Sequence, residues 1–145
     1  MCGVTGFLMA PVRTEGELKE TAEKMSNAIA HRGPDDSGAW SDPQTGIALG
    51  HRRLSIIDLS PAGHQPMTSS SGRFVIAFNG EIYNHLELRA ELDNSSNSSA
   101  HKGMAGAKLK WRGHSDTETL LAGFERWGVA ATLAKTVGMF AIVLW

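Results

Sequence analysis

Apolar residues along this chain alternate between two spacings. Gly3 to Met9 is a short, mostly apolar run and reads as a strand. Leu18, Ala22, Met25 and Ile29 then recur at steps of four and three, which gives one helix face to a core. Gly33-Pro34 stops that helix near His31. Ile47 to Leu49 and Arg53 to Ile57 read as strands flanking Gly50-His51. Phe74 to Phe78 is a dense apolar strand, and Asn79-Gly80 after it is a strong turn signal. Leu86, Leu88 and Leu92 predict a short helix. Ser115 with Glu118 has the form of a capping box. Leu120, Leu121, Phe124 and Trp127 follow as an apolar stripe that Gly128 ends. Gly138 to Trp145 reads as a last strand. Strands mixed with short helices imply an α+β domain with antiparallel pairing.

Residues 93–110 interrupt this pattern. Asn94-Ser95-Ser96-Asn97-Ser98-Ser99 is polar and of low complexity, and Gly103-Met104-Ala105-Gly106-Ala107 is small throughout. A flexible surface insert is expected there.

Composition narrows the class of function. The 145 residues are 41% hydrophobic and 20% charged, with a net charge of −1, as in an ordinary single globular domain. That balance offers no basic footprint for nucleic acid or for an anionic membrane. The longest apolar run, Met139 to Trp145, is too short to span a bilayer, and the N-terminus lacks a signal-peptide layout. The lone Cys2 excludes an internal disulfide and a thiolate metal cluster, so a reducing, cytoplasmic setting is expected.

Cys2 follows the initiator Met directly. A thiol is a weak nucleophile until a base takes its proton. Removal of Met1 would free an α-amine with a pKa of about 7.7–8.0, partly neutral near pH 7. Nucleophile and base would then share one residue, although position alone favours an incidental or buried cysteine. Six motifs accompany it in order: Cys2-Gly3-Val4-Thr5-Gly6, His31-Arg32-Gly33-Pro34-Asp35, Gly50-His51-Arg52-Arg53-Leu54-Ser55-Ile56-Ile57-Asp58, His64-Gln65-Pro66-Met67, Asn79-Gly80-Glu81-Ile82-Tyr83-Asn84 and Ser115-Asp116-Thr117-Glu118. This set resembles the class II, N-terminal-nucleophile glutamine amidotransferases. The Arg-Leu-Ser-Ile and Asn-Gly-Glu-Ile-Tyr-Asn wording is most similar to the glutaminase domain of glutamine-hydrolysing asparagine synthetase. The resemblance runs over residues 1–145 apart from the insert.

The resemblance implies a fold, a sandwich of antiparallel sheets flanked by helices. It also implies a reaction, attack of the Cys2 thiolate on the side-chain amide of L-glutamine, loss of ammonia and hydrolysis of the thioester to glutamate. Asn79 and Gly80 form a good turn by their residue types. The resemblance assigns them instead to an oxyanion hole, one side-chain and one backbone donor. Arg53 reads either as a surface arginine or as a bidentate clamp on the α-carboxylate. Arg52 would point to the opposite face of an extended stretch. Leu54, Ile56 and Ile57 are implied as substrate-binding neighbours with backbone groups to offer. Asp116, with help from Glu81, is implied as the partner of the substrate ammonium. Arg32-Gly33-Pro34-Asp35 reads as a rigid turn near Cys2. His51 and His64 suggest a dyad with Cys2, but the family uses the α-amine. Scattered histidines also lack metal-ligand spacing.

Two departures from the family pattern stand out. The chain stops in apolar material where the family continues, so a C-terminally incomplete sandwich is expected, with open strand edges that leave homo-oligomerisation open. The synthetase domain, which holds ATP and Mg2+ in the family, has no counterpart here, and no cofactor is expected for this domain. The readings are therefore a glutaminase domain feeding a synthetase domain, an inactive glutamine- or partner-binding fragment, or an amidase acting on another amide.

Overall fold

The computed structural model describes residues 2–10, 13–95 and 109–145. The elements run β1 (Gly3–Leu8), α1 (Glu15–Ala28), β2 (Asp36–Asp42), β3 (Ile47–Arg53), β4 (Met67–Thr68), β5 (Val75–Ile82), α2 (His85–Ser95), α3 (Asp116–Trp127), α4 (Val129–Lys135) and β6 (Gly138–Leu144). They form two three-stranded sheets, ordered β1-β3-β2 and β4-β5-β6, with every pairing antiparallel.

Burial explains the layering. Strand alternation gives β3 and β5 two apolar faces each. Ile47 and Leu49 of β3 meet Val75 and Ala77 of β5 between the sheets. Ala48 turns the other way, onto Leu18 and Ala22 of α1. On the far side Ile76, Phe78 and Ile82 pack on Leu120, Leu121 and Phe124 of α3 and Leu88 of α2. The result is helix, sheet, sheet, helices, and full burial of each leucine, isoleucine, valine or phenylalanine side chain contributes about 1.5–3 kcal/mol. α1 begins with a complete capping box between Thr14 and Glu17.

Several elements differ from the sequence reading. β3 runs unbroken through Gly50-His51 and ends at Arg53, so Leu54 to Ile57 is loop rather than strand. Pairing with β1 and β2 on both sides holds Gly50 and His51 in the ladder. Asn79-Gly80 is not a turn. It lies inside β5, opposite Ala141 and Phe140 of β6, because the long β6 partner outweighs the local turn preference. Ser115 caps α3 by accepting from Glu118 N–H at 3.2 Å, but the Glu118 carboxylate accepts from Arg112 and Gly113 N–H instead of closing the box. β2, β4 and α4 are not predicted by the apolar pattern of the sequence. Gly128, with φ +85°, separates α3 from α4, a conformation other residues rarely adopt.

The expected insert begins inside α2, which extends to Ser95. Residues 96–108 lie outside the described residues, as does Met1. No helix among the described residues is long and apolar enough to cross a membrane.

Candidate active site

Cys2, Arg53, Leu54, Ile56, Ile57, Asn79, Gly80, Glu81 and Asp116 all line one cavity of about 240 Å3. They arrive from the start of β1, the end of β3 with the loop after it, the second half of β5 and the first turn of α3. Cys2 is half-buried and unpaired. Its Sγ accepts from Leu54 N–H at 3.4 Å and lies 3.6 Å from Leu54 O. The Cys2 carbonyl accepts from Arg32 Nε at 3.2 Å, which gives the Arg-Gly-Pro-Asp turn a concrete contact with this residue.

The geometry of β5 depends on which way its backbone groups turn. Val75 and Trp145 exchange both backbone hydrogen bonds, at 2.7 and 2.8 Å, and Tyr83 N–H reaches Val137 O at 2.8 Å. Odd-numbered residues of β5 therefore bond to β6, and even-numbered ones turn to the opposite edge. β4 covers that edge only as far as Ile76. Beyond it side chains take over. Phe78 N–H donates to Gln65 Oε1 at 2.7 Å, and Phe78 O accepts from His51 Nε2 at 2.9 Å. Ile82 N–H donates to Asp116 Oδ2 at 3.0 Å. Gly80 sits between them on the same edge, facing the cavity. Asn79 Oδ1 is enclosed and accepts no hydrogen bond from the described residues, so no other part of the described fold uses that acceptor.

Asp116 is buried at 5% exposure, and burial raises its pKa against the hydrogen bonds from Ile82 and Thr117 N–H. The ion pairs found among the described residues do not include it. A desolvated carboxylate of this kind favours an incoming cation. Glu81 is exposed, at the rim of the cavity. Arg53 is buried at 7% exposure. Its Nη1 donates to Ser60 O at 2.9 Å and its Nη2 to Asp58 O. These bonds hold the guanidinium flat against the loop and leave three of its five donors. Arg52 turns away, donating from Nε to Gly33 O at 3.0 Å. Ile56 is 68% exposed and Ile57 37%, both at the mouth of the cavity.

Other cavity residues carried no role in the sequence reading. Asp58 accepts from Ser60 N–H and Oγ and from His114 N–H at 2.7 Å, tying the loop after β3 to the segment before α3. Burial would raise its pKa, but those bonds and the Arg53 charge outweigh it and hold the carboxyl at about 2. Behind it Glu118 braces the same segment and lies 3.5 Å from both Arg89 and Arg112. His51 is fully buried, and burial drives its pKa down to about 4, so it is neutral near pH 7. It bonds to β5, and His64 pairs with Asp36 at 2.8 Å, so neither forms a dyad with Cys2. The motif His64-Gln65-Pro66-Met67 is visible in the sequence, but no spacing in it shows that Gln65 replaces a strand partner.

The fold is an α+β sandwich of antiparallel sheets flanked by helices, of the kind seen in N-terminal-nucleophile amidotransferases. Glutamine phosphoribosylpyrophosphate amidotransferase from Bacillus subtilis superposes on 99% of this chain and 34% of its own, with a TM-score of 0.63 at 17% identity. A family model described as a glutamine amidotransferase domain matches residues 1–145, and the chain belongs to that family. Asparagine synthetase [glutamine-hydrolyzing] 1 of Bacillus subtilis is 39% identical over 146 residues, covering 100% of this chain and 21% of the relative. Amidase chry2 of Gibberella zeae is 34% identical over 153 residues, covering 100% of this chain and likewise 21% of the relative. The chain thus spans about a fifth of the length of the curated relatives it matches.

Proposed function

We propose that this domain hydrolyses L-glutamine to L-glutamate and ammonia through a thioester on Cys2. One observation carries the reading. The only sulfur nucleophile of the chain, an open strand edge at Gly80, the Asn79 side chain and a desolvated Asp116 line the same cavity. Removal of Met1 frees the α-amine of Cys2, which takes the thiol proton. The thiolate attacks the glutamine amide carbon, and the carbonyl oxygen takes up negative charge. Asn79 Nδ2 and Gly80 N–H stabilise that oxyanion, each donor worth about 2.7–4 kcal/mol in comparable sites. As the intermediate collapses, the ammonium proton passes to the departing nitrogen, which leaves as ammonia. Water then attacks the thioester, releasing glutamate and returning the proton to the terminus. Arg53 holds the substrate carboxylate. Asp116, with Glu81 at the rim, holds its ammonium group. Leu54, Ile56 and Ile57 border the aliphatic chain and offer backbone groups.

Ammonia made here serves asparagine or related amide synthesis in a synthetase domain that uses ATP and Mg2+, and the glutaminase step itself needs no cofactor. A reducing cytoplasm keeps Cys2 as the thiol. The test is labelling with a glutamine-mimicking electrophile after intact-mass measurement has shown Met1 to be gone. The adduct is expected on Cys2, and Cys2→Ala should release no ammonia while melting like the parent chain. An adduct elsewhere, or ammonia release by Cys2→Ala, would overturn the mechanism.

A further inference from the structure

We propose that Gln65 is a positioning residue, standing in for the missing sheet partner of β5 and holding Gly80 and Asp116 in register across the cavity. The proposal rests on the glutaminase reading. β4 pairs only Met67 with Ile76 and Thr68 with Val75, so from Phe78 onward the edge has no backbone partner on that side. Gln65, 5% exposed, fills the place. Phe78 N–H can only donate, so the side-chain atom 2.7 Å away is the Gln65 oxygen. Its amide nitrogen then faces Thr117 Oγ1 at 3.3 Å. Four residues along β5, Ile82 N–H is held by Asp116, the neighbour of Thr117. The contacts close a ring from Gln65 through Phe78, Gly80 and Ile82 to Asp116 and Thr117 and back. Gly80 is the open member of that ring, and its N–H can shift only if the ring deforms. No apolar residue can supply both the acceptor and the donor. A glutamate would bury a carboxylate at a position that is 5% exposed.

The experiment compares the full wild-type chain with Gln65→Met, which keeps length and apolar volume but loses both hydrogen bonds. Amide hydrogen exchange at Phe78 should quicken, while Ala77 and Asn79, bonded to β6, keep their protection. With glutamine, kcat should fall by about ten- to a hundred-fold and KM change by less than about three-fold, because a displaced oxyanion donor acts on the transition state. Binding of a glutamyl aldehyde, which forms a tetrahedral adduct, should weaken in step with kcat, and binding of glutamate should not. A loss shared equally by kcat, aldehyde and glutamate would mark a merely structural role and overturn the proposal. If Gln65→Met does not fold, Thr117→Val removes the far end of the bridge and should give the same kcat-weighted loss; unchanged kcat there also overturns the proposal. A wild-type chain that releases no ammonia overturns the glutaminase reading and this role together. An active wild type beside an equally active Gln65→Met chain overturns the positioning role alone.

Discussion

Gly80→Ala adds a single methyl group at the tightest point of the proposed oxyanion hole. Gly80 and Phe140 face each other as a non-hydrogen-bonded pair, the narrow kind of antiparallel pairing, with Cα atoms about 4.5 Å apart. A Cβ at position 80 would lie 2.5 Å from both Phe140 Cα and Phe140 Cβ, and closer still to Met139 O. Carbon atoms in ordinary contact sit about 3.5–4.0 Å apart. β5 and β6 must therefore part locally by about 1 Å. The obstacle is backbone, and the flanking pairs Asn79–Ala141 and Glu81–Met139 resist the movement. A shift of that size in an aligned donor costs about a hundred-fold in rate, equivalent to about 2.7 kcal/mol. Overpacking adds about 1–3 kcal/mol of lost stability, or about 3–10 °C in Tm. Ammonia release at saturating glutamine gives the first number and calorimetry the second. A Gly80→Ala chain with kcat within about two-fold of the parent would refute both the crowding and the role given to this N–H.

Asn79→Ala should lower kcat by about 100- to 1000-fold with little change in KM, read from steady-state ammonia release; a pure KM effect would make Asn79 a substrate holder instead. Asp58→Asn should raise KM for glutamine, because it loses an acceptor for Ser60 or His114 N–H and loosens the loop that holds Arg53. The native Asp58 pKa, about 2, lies below the unfolded value, so its contribution is present above about pH 4 and is lost as pH falls toward 2. Acid melts of Asp58→Asn should be flatter in that window. His51 has a folded pKa of about 4 against an unfolded value of about 6.5, so the unfolded chain binds more protons between them. Stability should therefore fall as pH drops from about 6.5 to 4, by on the order of 3 kcal/mol, and His51→Asn should remove that slope in chemical denaturation.

The periodic elements were legible because their patterns are strong. Leu18, Ala22 and Met25 place α1, and Leu120, Leu121 and Phe124 place α3, through a 3.6-residue spacing that tertiary contacts reinforce. The cavity residues were named through ordered motifs, and all of them line one space. What stayed hidden depends on long-range pairing. β2 reads Asp-Ser-Gly-Ala-Trp-Ser-Asp, with little alternation, and is a strand because β3 offers it a full edge. Asn79-Gly80 has turn chemistry yet lies in a strand, because β6, 60 residues away, pairs across it. Leu54 to Ile57 has strand chemistry yet leaves the sheet after Arg53, whose guanidinium is anchored to Ser60 and Asp58.

That exchange of turn for strand matters to the chemistry. A hairpin at Asn79-Gly80 would aim both peptide groups at solvent. A strand puts their donors on adjacent positions of a rigid ladder, Asn79 offering a side chain on one face and Gly80 a backbone N–H on the edge. The other N–H groups on the free edge of β5 are committed. Phe74 N–H goes to Ser69 Oγ at 3.1 Å, Ile76 pairs with Met67, Phe78 is held by Gln65 and His51, and Ile82 by Asp116. Buried backbone groups are almost always paired, so the position left open on this edge among the described residues, in the same cavity as a half-buried thiol, is the place where the proposed mechanism would seat a substrate oxygen. The proposed hole thus depends on β4 reaching no further than Met67 toward Gly80, and any change that extended that strand would close the site without touching Cys2.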